Sequence, residues 1–287
     1  MQVTTQLVNE LRQKTGAGVT KCKEALVATN GDLDAAIRWL RNIGIKPEML
    51  ERVAGKGLIV AKIDKLGRNA VCFTLKCETD FAAKNPRFVK LAEQIAEDFL
   101  SGGTLSEASK SALQVEMTTG INEKIAVGEP ACIGLTPSQF DTAGIGSYLH
   151  SNDKLAVLVA VDCKKQNTRE NPEFKQLVKD LAMHIAGANP FPKAPNRDAL
   201  NKDLVAKEQQ FVASQMSNDA GFMKKPENIR QKIVDGKMGK FYKENVLLEQ
   251  PFVKDETKTV EQHLKDAGKK CNDDLTILWF VRSQLTD

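Results

Sequence analysis

Apolar and polar positions alternate over residues 71–77, with Val71, Phe73, Leu75 and Cys77 on one face of an extended chain. That period of two predicts a strand. Asn85 and Pro86 then supply a helix cap and a first helical residue, and Phe88, Leu91, Ala92, Ile95, Ala96 and Phe99 recur at the spacing of an amphipathic helix. The same scaffold returns 86 residues later without a gap. Val157, Val159, Val161 and Cys163 repeat the strand, and Asn171, Pro172 and Phe174 repeat the cap. Leu177, Val178, Leu181, Ala182 and Ile185 repeat the stripe. Upstream, Gly57 to Ile63 maps onto Ala143 to Leu149, each followed by a polar turn. Each copy reads as a hairpin plus a helix, too small to bury both faces alone but adequate when two pack together.

One stretch breaks the repeat. Glu78-Thr79-Asp80-Phe81 corresponds to Lys164-Lys165-Gln166-Asn167. Polar turn residues suffice to join a strand to a helix, as they do in the second copy. Two readings of the acid–aromatic pair stand side by side. Phe81 tucks under its own helix as a satellite of the core, or it is exposed for another purpose.

Outside the repeats, the first 45 residues carry three short stripes: Val3, Leu7, Val8 and Leu11; Val19, Cys22, Ala25 and Leu26; Leu33, Ala36, Ile37 and Leu40. Thr15-Gly16-Ala17-Gly18 and the stop-and-cap signal Asn30-Gly31-Asp32 separate them, which predicts three helices in the manner of a binding module. Residues 46–56 read as a polar linker. Residues 101–142 are mixed; Ile121 to Val127 reads as a strand or an exposed apolar edge, and Pro130 and Pro137 mark irregular chain.

After the second copy, Leu200 to Gln215 reads as a partly exposed helix, and a second helix opens at Pro226 and stops at Gly236. Together residues 198–236 form a helical hairpin with narrow apolar faces, suited to self-association or to partner contact. The tail predicts a helix from Thr259 to Ala267 stopped by Gly268, then a strand from Leu275 to Val281. The fold class is α+β, divided as 1–45, a linker at 46–56, a first core subdomain with spacer at 57–142, and a second core subdomain at 143–287 that includes the hairpin.

Composition narrows the chemistry. The net charge of +4 is spread over interleaved acids and bases, with no basic stripe carrying aromatics, so direct nucleic-acid binding is not expected. The longest apolar runs, such as Leu155 to Val161, are strand-length and do not span a bilayer. No charged-then-apolar leader opens the chain, and six scattered cysteines lack a CxxC, which together suggest a cytoplasmic protein with reduced thiols. The three histidines show no metal-ligand spacing, and neither a nucleophile elbow nor a phosphate-binding glycine loop occurs. No metal or cofactor is expected. His184 reads as a packing or hydrogen-bonded residue beside its helix stripe, and His150 as a turn residue able to reach a partner. An adaptor built on the helical module and an enzyme with a non-local Cys–His pair stay as rival readings.

Two motifs carry a resemblance. Leu11-Arg12-Gln13-Lys14-Thr15-Gly16-Ala17-Gly18-Val19-Thr20-Lys21-Cys22-Lys23-Glu24-Ala25-Leu26 and Cys77-Glu78-Thr79-Asp80-Phe81-Ala82-Ala83-Lys84 resemble the two signatures of the bacterial elongation factor Ts family, the guanine-nucleotide exchange factors of elongation factor Tu. Gly146 to His150, Ala182 to Ala186 and Gln250 to Phe252 add support in order and spacing. The resemblance implies a ubiquitin-associated-like amino-terminal module, two related core subdomains, a protruding helical hairpin and no covalent chemistry. It implies that Asp80 and Phe81, within the Thr79-Asp80-Phe81 motif, are a wedge inserted beside the magnesium and phosphate site of elongation factor Tu. It further implies that His150 approaches the phosphate side, that Arg12, Val19 and Lys23 dock the helical module, and that Ile125 and Val127 make contacts around the wedge. The resemblance also implies that the partner is engaged in its nucleotide-free and GDP forms. Three departures stand out: Ala82 where the family usually has valine, Lys76 for a common asparagine, and Gly128-Glu129-Pro130 where paired arginines are frequent.

Overall fold

Three helices open the chain: α1 (Thr5–Thr15), α2 (Val19–Ala28) and α3 (Leu33–Asn42). Their stripes meet in a small core that includes Leu11, Cys22, Leu26, Ala36 and Leu40. Asn30 and Gly31 are both left-handed, and the Asp32 carboxylate accepts from the Ala35 N–H to cap α3. The computed structural model describes residues 3–15, 17–43, 52–151, 153–218 and 220–285. Residues 1, 2, 16, 44 and 45 of the expected module and 46–51 of the expected linker lie outside the described residues.

The first repeat folds as β1 (Lys56–Ile63), β2 (Asn69–Cys77), a one-turn α4 (Asp80–Ala83) and α5 (Pro86–Gly102). Then come α6 (Glu107–Val115), a π-turn at Glu116–Gly120, β3 (Ala126–Val127) and β4 (Ala131–Gly134). β2 lies beside β1, also pairs with β4, and runs antiparallel to β3, with Leu75 opposite Val127. Asn85 caps α5 by accepting from the Arg87 N–H. Phe88, Leu91, Ile95 and Phe99 are buried, and the Phe99 ring meets Phe73 of β2 edge-on at 5.1 Å.

The second repeat folds as β5 (Ala143–Leu149), β6 (Leu155–Cys163) and α7 (Pro172–Gly187), with β5 and β6 paired from Ala143–Asp162 to Leu149–Ala156. Asn171 caps α7 through the Glu173 N–H. α8 (Lys202–Ser217), α9 (Ala220–Met223) and α10 (Glu227–Asn245) follow. β7 (Pro251–Phe252), β8 (Asp255–Thr259), α11 (Val260–Cys271) and β9 (Leu275–Gln284) end the order. β9 completes a three-stranded sheet ordered β5-β6-β9, and α7 and α11 share its core through Leu181, Ile185, Leu264 and Ile277. The chain divides into two compact units: Met1–Val60 with Phe73–Cys132 and Gln284–Asp287, and Ala61–Cys72 with Ile133–Ser283. Among the described residues, no helix is long and apolar enough to cross a membrane.

Several expected boundaries move. Gly236 does not stop the second hairpin helix; α10 continues through it to Asn245. Glycine costs a helix interior about 1 kcal/mol. Continuing the helix buries Met238 and Phe241 against Leu200, Val212 and Phe222, and burying one such side chain is worth about 1.5–3 kcal/mol. Gly268 does not stop α11 either. The chain turns at left-handed Asn272, and the Asp273 N–H returns to the Gly268 carbonyl at 2.9 Å. A Cβ at 268 would lie 2.7 Å from the Asp273 carbonyl oxygen, so the glycine makes room for the returning chain. Of Ile121 to Val127, only Ala126 and Val127 are strand, and α6 occupies part of the stretch that had looked irregular. Its signal, Ser106 capping through the Ser109 N–H, was present but weak.

Candidate functional site

The loop after β2 is a one-turn helix with a defined start. Thr79 is extended, and its Oγ1 accepts from the Ala82 N–H at 3.2 Å, which makes it the cap of α4. The same hydroxyl donates to Glu123 Oε1 at 2.7 Å. Glu123 Oε2 accepts from the N–H groups of Glu78 and Thr79, each at 3.0 Å. In return Glu78 Oε1 accepts from the Lys124 N–H at 2.6 Å, with Arg52 3.5 Å away. Two segments separated by more than forty residues are therefore tied carboxylate-to-backbone in both directions.

Ala82 packs inward from this turn, whereas Asp80 and Phe81 face outward, and the Phe81 side chain is 89% exposed. The reading in which Phe81 tucks under its own helix is thereby set aside. An apolar ring this exposed gains nothing from the fold. The surroundings are acidic: burial, then the Glu123 charge, pushes the Cys77 thiol up to about 11, and Asp80 and Glu78 add to the rise. The thiol beneath the turn is protonated at neutral pH and is not a nucleophile.

β2–β3 pairing sets Val127 opposite Leu75 in the first unit, and Ile125 precedes Ala126, the partner of Lys76. Ile125 is buried at 5% exposure, while Val127 is half-buried. Arg12 is exposed on α1. Val19 and Lys23 are exposed on α2, four residues apart and so on one face. His150 belongs to the second unit, exposed at the tip of its hairpin, where Nδ1 lies 3.1 Å from the Tyr148 hydroxyl.

His184, Cys72 and Cys163 are poorly placed for covalent chemistry. Both His184 nitrogens are taken, Nε2 by Gln250 Oε1 and Nδ1 by the Val253 N–H. Burial pushes the thiols of Cys72 and Cys163 up to about 11 as well. Among the described residues, no group of three or more His, Cys, Asp or Glu side chains is placed to hold a metal ion.

Glu123 has no role in the sequence pattern, and Glu78 stands out there only as part of the break in the repeat. Neither falls on an apolar period, and their pairing depends on where β3 docks. The one available signal was an acid just upstream of the Ile125–Val127 edge, which has no meaning until the partner segment is known.

Comparisons with known proteins agree across the chain. A family profile described as Elongation factor TS matches residues 78–287. An elongation factor Ts of Nitratidesulfovibrio vulgaris (strain DP4) is 39% identical over 287 residues, covering 99% of this chain and 96% of its own. That of Desulfovibrio desulfuricans is 35% identical over 288 residues, covering 99% and 98%. That of Acholeplasma laidlawii is 35% identical over 296 residues, covering 99% and 93%.

Proposed function

The chain belongs to the elongation factor Ts family, and on that premise we propose that Asp80 and Phe81 are the residues through which it empties its partner of nucleotide. It is a guanine-nucleotide exchange factor for elongation factor Tu in translation elongation. The observation that carries the residue assignment is the exposure of Phe81 on a turn that the fold holds in place from beneath.

The physics is linkage. A bound nucleoside diphosphate owes much of its affinity to Mg²⁺ and to the backbone amides around its phosphates. A protein that stabilises the distorted, empty GTPase weakens nucleotide binding by the same coupling free energy. An aromatic ring between the partner's helices supplies contact available only in the open state. The Asp80 carboxylate beside it perturbs the groups that hold the metal's water shell. GTP then refills the site and expels the factor, and no covalent bond is made or broken.

Around this centre, His150 approaches the phosphate side and Arg12, Val19 and Lys23 dock the helical module, which is ubiquitin-associated-like. Val127 borders the wedge and Ile125 backs it. The factor engages the nucleotide-free and GDP forms of elongation factor Tu in the cytoplasm, and the helical hairpin serves self-association or further partner contact. As repeats rather than compact units, the domains run 1–45, 57–142 and 143–287.

Release of labelled GDP from elongation factor Tu tests the assignment. Asp80→Ala with Phe81→Ala is expected to abolish most of the stimulation. Stimulation at the wild-type level would remove the wedge reading, and a failure of the wild-type chain itself to stimulate release would favour an adaptor.

A further inference from the structure

Resting on that reading of the Asp80–Phe81 turn, we propose that Glu123 is a positioning residue of nucleotide exchange: its carboxylate fixes Thr79, and through Thr79 the turn that presents Phe81. A helix of four residues is not stable by itself, because nucleating one turn costs more than its few hydrogen bonds return. Nor does an 89% exposed ring anchor the turn by burial. Beside the inward packing of Ala82 and the bond from Cys77 Sγ to the Thr79 carbonyl, Glu123 holds it through three hydrogen bonds: the amides of Glu78 and Thr79 on one oxygen and the Thr79 hydroxyl on the other. The hydroxyl that donates to Glu123 also accepts the Ala82 N–H. One side chain thus couples the brace to the cap.

Glu123 is itself placed by backbone geometry. The π-turn ends with the Ile121 and Asn122 N–H groups both on the Glu116 carbonyl, at 2.8 and 2.9 Å, and Asn122 is left-handed. The next residue's carboxylate meets the end of β2, and the Lys124 N–H closes the reciprocal bond to Glu78.

The second repeat supplies an internal comparison. There Asp273 accepts from the amides of Lys164 and Lys165, at 3.2 and 3.0 Å, and from the Thr168 hydroxyl at 2.6 Å. Lys164 and Lys165 are the repeat counterparts of Glu78 and Thr79. The brace therefore belongs to the scaffold of both units, but only in the first does its hydroxyl partner cap an exposed Asp–Phe turn. Losing Glu123 frees that turn to leave the geometry that engages the GTPase. Losing Asp273 costs only fold.

The test is stimulated GDP release from elongation factor Tu, measured with thermal melting for each variant of the full chain. Glu123→Ala is expected to slow maximal release about tenfold, the scale of lost charge-assisted hydrogen bonds. Glu123→Gln, which keeps one accepting oxygen, is expected to fall between Ala and wild type, and it carries the test if the Ala variant does not fold. Asp273→Ala lowers the melting temperature yet leaves release within about twofold. In a Phe81→Ala background, Glu123→Ala adds no further loss. Folded Glu123 variants that release GDP at the wild-type rate while Phe81→Ala is impaired overturn the proposal. So does Asp273→Ala slowing release as much as Glu123→Ala. If Phe81→Ala itself is unimpaired, the reading of the turn fails first.

Discussion

Gln250 fixes His184 in a single tautomer. The Val253 N–H, which can only donate, points at His184 Nδ1 at 3.1 Å, so the ring proton sits on Nε2 and is donated to Gln250 Oε1 at 3.0 Å. The Gln250 amide cannot flip to accommodate a change, because its nitrogen donates to the carbonyls of Pro190 and Glu244. A second proton on His184 would set donor against donor at Nδ1, inside a buried site.

That geometry makes stability fall on acidification. Burial lowers the His184 pKa, with the Gln250 bond opposing and His263 adding to the fall. Burial likewise lowers that of His263, against the pull of Asp180. A depressed folded pKa means the unfolded chain takes up protons first. The stabilisation is therefore complete above the unfolded value of about 6.5 and is lost as pH drops below it. Melting temperatures measured from pH 8 to 5 should decline below that point, and His184→Gln should flatten the decline while starting from a lower value at pH 7.5. An unchanged slope in the variant would assign the effect elsewhere.

Two phenylalanines seven residues apart should respond oppositely to truncation. Phe88 is fully buried, and Phe88→Ala is expected to cost about 3–5 kcal/mol. Phe81→Ala is expected to stay within about 0.5 kcal/mol of wild type, because the ring touches solvent. Urea titrations of the two variants decide this. A large loss from Phe81→Ala would mean that the ring is held against the protein in solution.

Thiol reactivity should follow burial. Cys132 is exposed, whereas Cys72, Cys77 and Cys163 are buried with their thiols pushed up to about 11. Alkylation of the folded chain at pH 7.5, followed by peptide mass mapping, should label Cys132 first and leave those three protected. Equal labelling of Cys77 and Cys132 would mean that the end of β2 opens readily.

Glycines at 57 and 236 should also diverge. Gly57 has φ +143°, and a Cβ there would fall on the Leu75 carbonyl oxygen, so Gly57→Ala is expected to destabilise by about 1–3 kcal/mol. Gly236 sits inside α10 with open space where its Cβ would be. Gly236→Ala should therefore stabilise by about 0.5–1 kcal/mol, seen as a raised melting temperature. Destabilisation by Gly236→Ala would show that the helix needs its glycine.

The sequence by itself determined what depends on near neighbours. Alternation marked β2, the repeat of its pattern 86 residues on marked β6, helical stripes marked α5 and α7, and Asn85 with Pro86 and Asn171 with Pro172 marked where those helices start. These signals act within a few residues, so no tertiary information was needed to read them. Comparison of the two repeats also isolated Asp80 and Phe81 as residues the scaffold does not require.

Tertiary structure decided everything that balances a local cost against a distant gain. Helix α10 passes Gly236 because Met238 and Phe241 find a core beyond it. The returning chain after Asn272 makes Gly268 a point of close approach rather than a stop. The exposure of Phe81 and the brace from Glu123 depend on how β3 docks against β2, a contact that joins residues more than forty positions apart. Periodicity has no reach over that distance. The acid–aromatic pair was therefore visible in the chain, while the carboxylate that holds it out toward a partner emerged only from the fold.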